Sequence, residues 1–140
     1  MKTIFLCASM AFYKDLVDIE KQLEEKGFTV MIPVSAQVMK KKNDFEVSHF
    51  KGVFSFEERK KFIHTNFDEI AKADSILVIN GNKNGIKGYI GANVLMEIGL
   101  ASYFKKKIYI WNNVEDTAPY KDELSCLEAI YIQQDLSKIN

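Results

Sequence analysis

The run Ser75-Ile76-Leu77-Val78-Ile79-Asn80 constrains the fold of this chain more than any other segment. Its centre is apolar without alternation, and the turn-forming stretch Gly81-Asn82-Lys83-Asn84-Gly85 follows at once. A strand apolar on both faces must be covered on both faces, as a central strand of a parallel sheet is. The flanking pattern agrees. Residues 2–7 are a short β-rich run, residues 28–34 a second strand ending near Pro33, residues 107–111 a fourth and residues 130–134 a fifth. Between them lie segments with helical spacing. In residues 12–26, Phe12, Leu16, Ile19 and Leu23 share one face and Gly27 stops the helix. Ser55 and Glu58 form a capping box at the head of a helix over residues 57–73, with Phe62, Ile63, Phe67 and Ile70 as its apolar face. Residues 92–104 are apolar nearly all round, which predicts a well-buried helix, and residues 120–129 predict a short one.

Strands alternating with helices predict one α/β domain over residues 1–140, a flavodoxin-like or Rossmann-like three-layer sandwich. Its five-stranded parallel sheet takes the order 2-1-3-4-5. Residues 35–54, which include Lys40-Lys41-Lys42, fit no element well and read as a long excursion with one short helix, either a lid or a surface insertion.

Charge narrows the function. With 19 basic and 19 acidic side chains the net charge is zero, which argues against a nucleic-acid polymer as partner. No apolar run is long enough to predict a membrane span. The opening MKTIFLCASM lacks a small-residue cleavage site and reads as a strand, not a leader. Cys7 and Cys126 show no metal or redox spacing, so a reduced cytoplasmic setting, no metal and no cofactor are expected.

In such sheets ligands sit beyond the carboxyl ends of the strands where the order reverses. Here that crevice is bounded by Cys7–Tyr13 and Asn80–Asn93. Neither loop carries a dinucleotide or P-loop fingerprint. Ser9 suits a sugar hydroxyl or a phosphate, or else caps the next helix. Gly85, Gly88 and Gly91 suit a backbone cradle, or else ordinary tight-turn chemistry with Asn82 and Asn84. The candidate substrate-binding residues are Cys7, Ala8, Ser9, Met10, Asn80, Gly88, Tyr89, Gly91 and Asn93. Phe12, Tyr13, Phe45, Phe50, Phe54 and Phe56 offer a base-stacking wall or simply core. Glu97 is the strongest clue: it is the only charged residue between Lys87 and Lys105, in a helix that should be buried. An unpaired carboxylate there must face a cleft or find partners.

The segments IFLCASM, AKADSILVIN and GYIGANVLMEIGLASYFKKKIYIWN together resemble the nucleoside 2-deoxyribosyltransferase-like superfamily, which includes the 2-deoxynucleoside 5-phosphate N-hydrolases. The resemblance runs over about residues 3–112. It implies the same five-stranded fold, a small-molecule nucleoside or nucleotide as partner, and a homo-oligomer. It implies that Glu97 is the nucleophile that attacks the anomeric carbon, forming a covalent glycosyl-enzyme. A family aspartate near the end of the helix before the third strand matches Asn66 or Asp68, and Asp68 enters as the second catalytic candidate. Phe5 stands where many members carry tyrosine, and Gly91 where the transferases carry aspartate. Those departures count against base exchange and give weight to a nucleotide hydrolase or a divergent binder. The alternatives are a non-catalytic nucleotide-binding module and an NAD glycohydrolase like Toll/interleukin-receptor-like domains.

Overall fold

The computed structural model describes residues 2–140. Five strands form the sheet: β1 (Thr3–Cys7), β2 (Thr29–Met31), β3 (Ser75–Val78), and, after a separate hairpin of β4 (Gly81–Lys83) and β5 (Ile86–Tyr89), β6 (Lys107–Ile110) and β7 (Ile130–Tyr131). The order is β2-β1-β3-β6-β7, and every pairing in it is parallel. Counting only these five, it is the expected 2-1-3-4-5. Cys7 lies opposite Val78 and Val78 opposite Ile110, so the central strands end level.

Alternate residues of the central strands feed two cores. Ile4, Leu6, Leu77, Ile79 and Tyr109 pack with Leu16, Ile19 and Leu23 of helix α1 (Tyr13–Glu25) and with Ala36 and Met39 of α2 (Val34–Lys42). Phe5, Cys7, Ile76, Val78, Ile108 and Ile110 pack with Ile70 of α3 (Phe56–Lys72), with Val94, Ile98 and Ala101 of α4 (Ala92–Tyr103), and with Leu124 of α5 (Lys121–Cys126). Two buried faces explain why residues 75–80 show no polar alternation. At the amino ends of the strands, Asp74 accepts hydrogen bonds from the Thr3 backbone N–H at 2.8 Å and from its hydroxyl at 3.1 Å, tying β1 to β3.

Several boundaries differ from expectation. The second strand is only Thr29–Met31, because Pro33 cannot donate to a ladder and instead precedes α2. Residues 35–54 therefore hold most of a regular helix followed by a 3-10 turn at Val47–Phe50. The stretch 81–91 is a hairpin, not a loop. Asn84 and Gly85 both have positive φ, 55° and 73°, as a two-residue turn that matches strand twist requires. The capping box of α3 forms as expected, Ser55 Oγ accepting from the Glu58 N–H at 3.1 Å. Helix α4 is buried on one side only: Met96 is 47% and Tyr103 80% exposed. An apolar sequence all round does not ensure cover all round, since a helix on a sheet presents one face to it. No helix among the described residues is long and apolar enough to cross a membrane.

Candidate active site

A cavity of about 760 Å³ opens beyond the carboxyl ends of β1 and β3, where the strand order reverses. Its floor is the turn after β1, with Ala8, Ser9, Met10 and Tyr13. Tyr89 of β5 and the first turns of α4 form one wall, through Gly91, Ala92, Asn93 and Glu97. Helix α3 supplies another through Arg59, Phe62, Ile63 and Asn66, which recur at i, i+3, i+4 and i+7. Phe50 and Phe54 close over it from the segment after α2.

Glu97 lies on this wall and is 6% exposed. Among the described residues no cation pairs with it. Burial pushes its carboxyl up to about 7, and a hydrogen bond from the Cys7 thiol offsets part of that rise. The Cys7 thiol is fully buried, and burial first, then the adjacent Glu97 charge, raise its pKa. It remains a thiol that donates. Tyr13 shares a 2.7 Å hydrogen bond with Ser35, and burial holds its phenol up at about 12, so it also remains neutral.

The two loops named from the sequence do meet here, yet not every residue in them faces the cavity. Ala8, Ser9, Met10, Tyr89, Gly91, Asn93 and Glu97 line it. Cys7 lies beneath, against Glu97. Asn80 and Gly88 are beside it with other work. The Asn80 side chain donates to the carbonyls of Gly88 at 3.1 Å and Asn112 at 2.9 Å and accepts from the Asn112 N–H at 2.8 Å. It thereby clamps the end of β3 to the hairpin and to the end of β6. Gly88 packs so closely that a Cβ would collide with the Asn113 carbonyl. Asp68 is exposed and does not line the cavity, whereas Asn66 does, its Oδ1 also accepting from the Val34 N–H at 3.2 Å. Two residues apart on a helix is about 200° of rotation, so only one of the pair can face inward.

Ser9 makes no side-chain cap to the following 3-10 turn, so its hydroxyl is not spent on that role. Of the aromatic set, Tyr13, Phe50 and Phe54 line the cavity, Phe12 and Phe45 pack in the first core, and Phe56 is exposed. Ser35, Arg59, Phe62 and Asn66 are wall residues that the two-loop argument does not reach, and Lys83 lies in the second loop without having been singled out. The i, i+3, i+4, i+7 spacing on α3 is the signal that finds four members of that wall. Among the described residues no three His, Cys, Asp or Glu side chains converge to hold a metal ion.

The fold has solved counterparts. A 2-deoxyribosyltransferase from Bacillus psychrosaccharolyticus superposes with a TM-score of 0.63 at 20% identity, over 94% of this chain and 85% of that one. A CMP N-glycosidase from Clostridium botulinum superposes at 0.56 with 23% identity, over 94% and 88%. At that identity the likeness establishes the fold. No protein-family model matches the chain, and no curated protein matches it by sequence.

Proposed function

We propose that this protein cleaves the N-glycosidic bond of a nucleoside or nucleoside 5′-monophosphate, with Glu97 as nucleophile. One observation carries the reading: a buried carboxylate without a cation, on the wall of a cavity at the strand-order reversal. A structural carboxylate so placed would be expected to have a charged partner. The sharing of fold with a deoxyribosyltransferase and a CMP N-glycosidase supports it, as does the resemblance of the Glu97 helix to that superfamily.

In this reading a Glu97 carboxylate oxygen attacks C1′ of the sugar. The C1′–N bond breaks, and the base leaves with the bonding pair and takes a proton from water. The sugar is held as an ester of Glu97. Water then attacks C1′ and breaks the ester C1′–O bond, its proton passing to the hydroxide left by the first step, so that free sugar and the carboxylate are released. Tyr13, Ser35 and Asn66 supply neutral hydrogen-bonding groups around the sugar, and Phe50, Phe54 and Phe62 supply faces for the base.

A second reading, a nucleotide-binding module without turnover, draws on a different observation. Among the described residues Glu97 is the only carboxylate on the cavity wall, so none of them offers a second carboxylic acid to the departing base. Incubation with a panel of nucleosides, their 5′-monophosphates and NAD, followed by chromatography for free base, separates the two. Release is expected from at least one, falling by roughly 10³-fold or more in Glu97→Ala. Nicotinamide alone, released from NAD alone, would redirect the substrate assignment to NAD. Binding without release from any of them would support the module and defeat the enzyme.

A further inference from the structure

Breaking the C1′–N bond leaves the bonding pair, and with it a negative charge, on the base. Among the described residues no second carboxylic acid lines the cavity to protonate it. A group that bears the charge without giving up a proton would meet the same need, and helix α3 presents one.

Arg59 is the only arginine in the chain and stands near the start of α3. A cation there opposes the helix dipole, so it is not placed to stabilise the helix. Glu57 and Glu58 suit that dipole but do not pair with it. Among the described residues no carboxylate and no aromatic ring engages the guanidinium. Arg59 lines the cavity on the same helical face as Phe62 and Asn66. The Phe62 ring meets Phe54 edge to face at 5.1 Å, and Phe54 lies 6.3 Å from Phe50, so the surfaces suited to a base gather on this wall. Asn66 accepts from the Val34 N–H through Oδ1, which leaves its Nδ2 to donate. The α3 wall thus offers N–H donors beside aromatic faces and no acid. Lys83, the other cation of the cavity, belongs to the hairpin wall, with its ammonium 5.0 Å from the centre of the Tyr89 ring.

We infer that Arg59 carries the negative charge of the departing base. This rests on the glycosidic reading above and adds a catalytic residue to it. As the C1′–N bond breaks, the electron pair spreads from the ring nitrogen onto the other nitrogens and carbonyl oxygens of the base. The guanidinium donates hydrogen bonds to two neighbouring acceptors and keeps its protons, since it stays charged at every working pH. Water supplies the proton afterwards. Arg59 is exposed, and a base seated against Phe54 and Phe62 would cover it. Its charge then acts with water excluded, where it is most effective.

Free bases serve as probes of the leaving group. Titration calorimetry at pH 8 compares 6-azauracil with uracil and 8-azahypoxanthine with hypoxanthine. Each pair differs by one ring C–H replaced by N, and the aza member is the one largely ionised at that pH. In the wild type the anionic member of at least one pair is expected to bind about tenfold or more tightly. Arg59→Gln removes that preference, Arg59→Lys keeps part of it, and Lys83→Gln leaves it in place. No preference in either pair overturns the inference. So does a preference that survives Arg59→Gln, or one that Lys83→Gln abolishes.

A kinetic measurement separates catalysis from binding. With a substrate that the panel above shows to be cleaved, Arg59→Gln is expected to slow base release in a single turnover about 10²-fold or more. Substrate affinity changes little, because the charge exists only once the bond is breaking. A loss confined to substrate affinity overturns the catalytic assignment, and release unaltered in Arg59→Gln overturns it while the glycosidic reading stands. An Arg59-dependent preference for anionic bases without release from any substrate would support Arg59 as the partner of an anionic base and defeat the glycosidic reading.

Discussion

Two buried glutamates, Glu20 on α1 and Glu97 on α4, make an instructive pair. They are 7% and 6% exposed, and each borders a cavity. Glu20 lines a depression of about 560 Å³ at the β2 edge, where the Lys40 ammonium meets it at 2.8 Å. Lys41 and Glu69 line the same depression, so its charges balance. Among the described residues Glu97 has no cation and only the Cys7 thiol as donor, and the cavity around it holds an excess of positive groups. Equal burial thus serves opposite ends. With a cation the carboxylate is part of the scaffold; without one burial holds its pKa well above the ordinary carboxylate range, facing a space of ligand size.

The largest effect that would break this contrast is on stability. Glu97 has a folded pKa of about 7, raised above its ordinary 4.5. Between those values the folded state binds the proton more tightly than the unfolded one. The contribution is therefore fully present below pH 4.5, is lost as pH rises through 7, and is absent above it. Holding the charge costs about 3 kcal/mol at alkaline pH. Glu97→Gln is expected to raise Tm at pH 8.5 and to change it little at pH 4.5, in thermal unfolding of both proteins across that range. A variant less stable than wild type at pH 8.5 would mean that Glu97 has a compensating partner.

Next in size is the Glu20 pair. Lys40→Met strands Glu20, but Lys40 is about half exposed, so solvent already screens the pair. A loss of about 1 kcal/mol is expected from chemical denaturation, with base release unaltered. A fall in turnover would show that the β2 edge is coupled to the site.

The smallest effect is on titration. On the proposed glycosidic reading Glu97 must be ionised to attack, so kcat/KM is expected to rise with pH to a plateau, with a midpoint near 7. Cys7→Ala removes the bond that lowers the Glu97 pKa and moves the midpoint upward by less than about one pH unit. A midpoint unchanged or lowered would show that the thiol does not act on Glu97.

Much of this was legible in the residues. The uniform hydrophobicity of 75–80 and the helical spacings around it imply a covered parallel sheet, and the order 2-1-3-4-5 places the crevice. Glu97 stands out because it is a lone charge in an apolar helix. The hairpin was hidden because glycines and asparagines serve loops and tight turns alike. Asp68 and Asn66 were not separable because α3 is amphipathic over its whole length. Its lower half meets the core at Ile70, its upper half meets the cavity, and composition does not distinguish the two surfaces.

The layering, the crevice-bearing end of the sheet and the isolation of Glu97 are already written in the order of the residues. These follow from local periodicity and from the cost of burying charge. That Arg59, Asn66, Lys83 and Ser35 share one cavity with Ser9 and Glu97, and that Asp68 lies exposed outside it, comes from the folded arrangement. Those residues lie on different elements, and their meeting depends on where each crossover returns the chain. That is set by packing of whole helices on the sheet, which no local pattern encodes.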